Sequence, residues 1–183
     1  MDIVKLTDKN AIEKMRTRVE RALDDPQVRV FQIFGRFGIG KRTAIHALFH
    51  DRGILPVEHN YTIIETGKPV VDKVVAYPHA IHLWDDVFHS NIMHPEVLSA
   101  FQKIQDGTIE FNGTFLLVAN DHEFPNYEFP PFPGVHIEFA EITVLLEHLE
   151  PQMRSKGHSE GAIYHRLQSA VLSTKNDRTN EDR

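Results

Sequence analysis

From residue 28 to residue 139 the chain alternates short runs of β-branched and aromatic residues with stretches whose apolar positions recur every three or four residues. That alternation predicts strands separated by helices. Ahead of it, Asp8 is placed to cap a helix with Ile12, Met15, Val19 and Leu23 on one face, ending near Asp24-Asp25-Pro26. Residues 28–34 then read as a buried strand that stops at glycines, and residues 41–50 as a helix burying Ala44, Ile45, Ala47, Leu48 and Phe49. Residues 61–64 and 70–75 read as two possible strands, residues 80–84 as a better one, and residues 95–104 as a helix. Strands follow at 114–119 and 135–139, with helices expected around Leu145 to Leu149 and over 161–172. The expected fold is α/β, in three layers: a mainly parallel sheet of five strands covered by helices on both faces. The expected divisions are an amino-terminal helix over 1–27, a core over 28–150, a helical tail over 151–173 and a disordered tail over 174–183.

Composition adds limits rather than elements. The 183 residues, 41% of them apolar, suit one domain with a sizeable core. There is no cysteine, which excludes disulfides, thiol nucleophiles and Cys-ligated zinc. The first residues lack the basic and apolar regions of a signal peptide, and nothing approaches the roughly 20 apolar residues of a membrane span. A soluble intracellular protein with no membrane partner is the expectation. The net charge of −6 is unevenly spread. Residues 1–52 hold eleven Lys and Arg against seven acids, whereas residues 53–150 hold three lysines, no arginine and fifteen acids. The middle of the chain is therefore a poor surface for nucleic acid, whose phosphates dominate that kind of affinity.

The candidate chemistry sits where apolar strands end. Gly35-Arg36-Phe37-Gly38-Ile39-Gly40-Lys41 satisfies the G-x-x-x-x-G-K part of the phosphate-binding loop, between a predicted strand and a predicted helix. Its glycines let successive N–H groups point inward, the helix adds its positive dipole end, and Lys41 reaches phosphate as a point charge. Gly35, Gly38, Ile39, Gly40, Lys41, Arg42 and Thr43 form the expected nucleotide cradle. The position after the lysine normally offers a hydroxyl to Mg²⁺, and here it is Arg42. Three alternatives stand: Thr43 supplies the hydroxyl if the helix begins one residue late, water fills the place, or Arg42 contacts phosphate itself. Asp85 and Asp86 close the strand at 80–84, where ligands collect in such sheets, so Asp85 is the expected metal ligand and Asp86 the base for an attacking water. Asn120 ends the strand at 114–119 and is placed to position that water or sense the γ-phosphate.

The succession of Phe34 to Lys41, then Ile81-His82-Leu83-Trp84-Asp85-Asp86, then Phe115-Leu116-Leu117-Val118-Ala119-Asn120 resembles motifs A, B and C of superfamily 3 helicases. Residues 98–109 and Phe124-Pro125 are similar to the corresponding stretches of replication initiator proteins from small DNA viruses and plasmids. The resemblance implies an AAA+-related core with strand order 5-1-4-3-2, ATP and Mg²⁺ as cofactors, ring assembly and translocation on single-stranded nucleic acid. Two departures bear on it. The stretch between Gly107 and Thr114 carries Glu110 but no Lys or Arg, and no arginine lies between Asn120 and Met153, leaving Arg154 and Arg166 as later candidates for reaching a neighbour's phosphates. Gly38 to Lys41 with Leu83-Trp84-Asp85-Asp86-Val87 also looks like the nucleotide-binding switch modules of signal-transduction ATPases, which retain nucleotide and change partners. A degenerate nucleotide-binding regulatory or partner-binding module is accordingly the alternative function. His46 with His50 and His79 with His82 have spacings that a metal pair would accept, but no third ligand accompanies them, and packed or surface histidines are the expectation. The loop at 124–133, with four prolines, reads as an ordered cover over the core.

Overall fold

The computed structural model of the chain describes residues 3–36, 38–59, 66–87, 92–120, 130–138, 149–151, 153–157, 159, 162 and 163. In chain order its elements are β1 (Ile3–Leu6), α1 (Ala11–Asp24), β2 (Val30–Gly35), α2 (Lys41–Arg52), β3 (Val57–Glu58), α3 (Lys68–Ala76), β4 (Ile81–Val87), α4 (Pro95–Gln105), β5 (Thr114–Asn120) and β6 (Gly134–Ile137). The strands form one sheet in the order β1-β6-β2-β5-β4-β3, and every pairing is parallel. The five strands from β2 onward keep the expected 5-1-4-3-2 order. The sheet nevertheless has six strands rather than five, because Ile3–Leu6 pairs with Gly134–Ile137 at one edge.

The central strands are apolar on both faces because both faces are covered. Along β2, Phe31 and Ile33 pack with Met15 and Val19 of α1 and Ile45 and Leu48 of α2, while Val30 and Phe34 pack on the opposite side. There they meet Val70 and Val74 of α3 with Val97 and Phe101 of α4. The same alternation runs along β5, with Leu116 and Val118 to one side and Phe115, Leu117 and Ala119 to the other. Period-two alternation between two buried faces produces the near-continuous apolar runs seen in the sequence. Two polar side chains tie neighbouring segments to β2, one from the strand itself and one from the end of α4. Gln32 Nε2 donates to the carbonyls of Pro130 (2.7 Å) and Phe132 (2.6 Å), and Gln105 Oε1 accepts from the Val30 N–H at 2.9 Å. The end of the proline-rich loop is thereby fastened beneath β2.

Two sequence expectations change. Residues 70–75, read as a strand from their valines, lie in helix α3. Pro69 at its first turn presets the backbone, and Val70 and Val74, four apart, are the buried pair while Val75 is exposed. The edge strand instead falls earlier, at Val57–Glu58, and pairs with His82 and Leu83. Asp8 is not the cap of α1. It stands two residues earlier, accepting the Asn10 N–H on its carboxylate at 2.9 Å and the Ala11 N–H on its carbonyl at 2.9 Å. The expected strand at 61–64, the helix around 145–148, the part of the last helix beyond residue 163 and the tail over 174–183 lie outside the described residues.

Candidate functional site

Three strands deliver the site to one edge of the sheet. Gly35, the last residue of β2, sits in register with Asn120 at the end of β5 and with Ile137 at the end of β6. A Cβ at Gly35 would lie 3.0 Å from Ile39 Cδ1 and 3.1 Å from Ile137, so the loop folds back closely over the strand end where there is little room for a side chain. The loop then enters α2 through Gly40, whose φ of 98° is left-handed. Ala44 N–H donates to Gly40 O at 3.0 Å, which opens the helix, and the first N–H groups of a helix have no acceptor within it. Backbone donors and a helix dipole thus meet at the loop, the arrangement that attracts phosphate.

Lys41 is buried, and its ammonium group is enclosed by oxygen. Nζ donates to Gly35 O (2.5 Å), Arg36 O (2.8 Å) and Asn120 Oδ1 (3.0 Å). A charge at this depth is tolerable because it is hydrogen-bonded on several sides. The contact with Asn120 joins two residues that the sequence separates by 79 positions. Phosphate oxygens arriving at the loop could exchange with the two carbonyls while the lysine stays in place.

Asp85 occupies a different setting from the one expected. It lies inside β4, not after the strand end, in a local irregularity where Trp84 pairs with Leu117 but Val87 with Ala119. Three residues of β4 therefore advance against two of β5, a bulge that re-aims the side chains between them. Asp85 Oδ2 stands 2.9 Å from Arg42 Nε, with Asp85 largely covered and Arg42 69% exposed. Asp86 belongs to the same strand, and its side chain is outside the described residues. Thr43 is exposed, about 100° around the helix from position 42. Mg²⁺ demands near-octahedral oxygen ligands. Position 42 offers a guanidinium where a hydroxyl would stand, and the nearby carboxylate is engaged by it, so this arrangement does not fit a metal held between the loop helix and Asp85.

A second polar group on β4 was not read from the sequence as a unit. His82, near the strand's start, donates from Nε2 to Tyr77 O at 3.0 Å, which leaves Nδ1 of a neutral ring to accept from His59 Nε2 at 2.9 Å. Both rings are buried against Phe115, with Phe111 edge-on to His82. Burial pushes the His59 pKa down to about 3, with the neighbouring His82 and Lys73 acting in the same direction, and burial lowers that of His82 as well. His82 thus pairs with His59 rather than with His79. Among the described residues no group of three or more His, Asp or Glu side chains is arranged to hold a metal ion. Arg154 makes an ion pair with Glu150 at 2.8 Å, and Arg166 lies outside the described residues.

No family model matches the chain, and no curated protein matches it by sequence. Its fold is similar to that of the RuvB Holliday junction branch migration motor of Thermotoga maritima, with a TM-score of 0.53 at 13% sequence identity. The match covers 79% of this chain, which spans about half of that protein (51%). At that identity the likeness is one of architecture. With the parallel sheet and the loop after β2, it gives the chain a P-loop NTPase-like fold. No helix among the described residues is long and apolar enough to cross a membrane.

Proposed function

We propose that this chain is a P-loop nucleotide-binding protein that takes the phosphates of ATP on the loop from Gly35 to Thr43. The observation that carries this reading is the buried Lys41 ammonium, held at the junction of β2, the loop and Asn120. Gly35, Gly38 and Gly40 give the loop its path, Ile39 packs it onto the core, and the α2 N-terminus adds backbone donors. Asn120, bonded to Lys41, registers whether the far phosphate is present. Titration of ATP and ADP into the wild type and Lys41→Ala tests this. Loss of the lysine is expected to weaken binding about tenfold or more, since it removes a charge-assisted contact. Binding that survives Lys41→Ala unchanged, in a variant that still melts cooperatively, would overturn the assignment.

A second reading is an Mg²⁺-dependent ATPase of superfamily 3 type acting in replication, with Asp86 as base and Asn120 on the water; it requires Arg42 to release Asp85, so that Asp85 and Thr43 could reach the metal. It is favoured by the Lys41 to Asn120 contact and by a fold shared with a DNA motor. In that reading the chain assembles as a ring on single-stranded nucleic acid. Phosphate release with and without single-stranded DNA or RNA, paired with sedimentation in the presence of ATP, separates the two. Rapid turnover by an assembled ring selects the ATPase, and binding by a monomer with negligible turnover selects the binding module.

A further inference from the structure

Resting on the nucleotide reading above, we propose that Arg42 stands at the station of the divalent cation, so that this loop binds nucleotide phosphates without Mg²⁺. Three observations carry the inference. Arg42 is the residue directly after the phosphate-loop lysine, on the first turn of α2, where a metal-binding hydroxyl would otherwise face the β- and γ-phosphates. Its Nε lies 2.9 Å from Oδ2 of Asp85, the carboxylate that the β4 bulge brings to the same edge. Lys41, the adjacent residue, is already turned inward to Asn120 and the loop carbonyls, so the two cations divide the edge between a buried and an exposed position.

The chemistry of the exchange is simple. A cation at this point neutralises the phosphate oxygens and is itself held by an acidic side chain from the sheet. A guanidinium meets both demands: it stays charged at every physiological pH, and it carries five N–H donors, of which the contact with Asp85 engages the one on Nε. Its planar fork matches a phosphate's oxygens as well as a carboxylate's. Asp85 then positions Arg42 instead of a metal. Thr43 is exposed and lies one position farther round the helix from Arg42. A guanidinium does not supply the coordinated water shell of Mg²⁺, so slow or absent turnover is expected of a loop that binds phosphate in this way.

The experiment measures ADP and ATP affinity by calorimetry in EDTA and in excess Mg²⁺, for the wild type, Arg42→Thr, Asp85→Asn and Lys41→Ala. The wild type is expected to bind ADP equally in both buffers, within about threefold, because its counter-charge is built in. Arg42→Thr is expected to lose about tenfold or more in EDTA and to regain affinity with Mg²⁺. Mn²⁺ offered with ADP gives an independent readout by electron paramagnetic resonance: the protein-bound signal is expected for Arg42→Thr and not for the wild type. Asp85→Asn, which removes the carboxylate that positions the guanidinium, is expected to weaken ADP binding several-fold in both buffers without making it depend on Mg²⁺. A wild type that binds ADP only with Mg²⁺, and loses it in Lys41→Ala, would overturn this inference and leave the nucleotide reading standing. A wild type that binds in neither buffer overturns both.

Discussion

One strand, β4, carries two polar groups that live by opposite rules. Near its start His82 is sealed among Phe111, Phe115 and His59, and near its end Asp85 sits at a bulge facing an exposed arginine. The first group is neutral, since burial drives both histidines away from protonation. The second is charged and reaches solvent. Burying polar atoms without an opening onto solvent serves the fold, whereas charges gathered at the carboxyl edge of a parallel sheet have somewhere to meet a ligand. The contrast yields measurements that would break it.

The largest expected effect is on His82→Ala. The substitution removes a ring packed against two phenylalanines, together with hydrogen bonds to Tyr77 and His59, and about 3 kcal/mol of stability should go with it. Nucleotide affinity of the folded protein should not change. Chemical denaturation checks the first statement and ADP titration the second. A variant of normal stability with weakened nucleotide binding would place His82 in the site and erase the distinction.

Acid should act on the sealed group next. His59 has a folded-state pKa near 3, below the ordinary 6.5, so between those values the unfolded chain binds more protons than the folded one. Stability is then full above about pH 6.5 and declines as pH falls toward 3, by up to about 1.4 kcal/mol per pH unit for each such histidine. Denaturation midpoints from pH 7 to pH 4 measure the slope. His59→Phe keeps an aromatic ring beside Phe115 and should flatten it. A slope untouched by that change would mean that the exposed carboxylates, not the buried pair, govern the acid limb.

These two groups also differ in how far the sequence announces them. The placement of Gly35, Lys41 and Asn120 at one edge is legible because each stands where an apolar strand or its glycine loop ends and parallel topology sends such ends together, whereas the position of Asp85 inside β4 is not. The α/β class follows from the same alternation, whereas the 5-1-4-3-2 order of the strands from β2 onward is what the resemblance to superfamily 3 helicases implies. What the sequence hid is pairwise. Nothing in spacing tells that His59 meets His82 across β3 and β4, since that depends on a register of only two residue pairs, and His59 lies just past the strand. Residues 70–75 misled because valines favour strands locally, and the i, i+4 burial of Val70 and Val74 outweighs that preference once α4 packs alongside. Close packing of those two helices shows at Gly67, where a Cβ would fall 2.6 Å from that of Ala100. The strand Ile3–Leu6 is only four residues long, and its pairing with β6 is what identifies it.

The smallest effects belong to the basic amino-terminal segment, residues 1–52, with its eleven Lys and Arg against seven acids. In the fold its cations are largely spent at home: Arg16 meets Asp51 at 2.7 Å, Arg52 meets Asp24 at 2.5 Å, and Lys14 pairs with Asp8. Two of these pairs clasp α1 to α2, on the face of the sheet away from α3 and α4. They are exposed to solvent, where an ion pair contributes about 0–1 kcal/mol and is screened by salt. Arg52→Ala should therefore shift the denaturation midpoint only slightly. The wild type's sedimentation should likewise be the same in low and high salt, because Lys14, Arg16 and Arg52 are each already held by a carboxylate of their own chain. Association that appears at low salt, disappears at high salt and is lost in Arg52→Ala would show the opposite: that these arginines exchange their local carboxylates for those of a second molecule, and that the uneven charge of the chain is an interface after all.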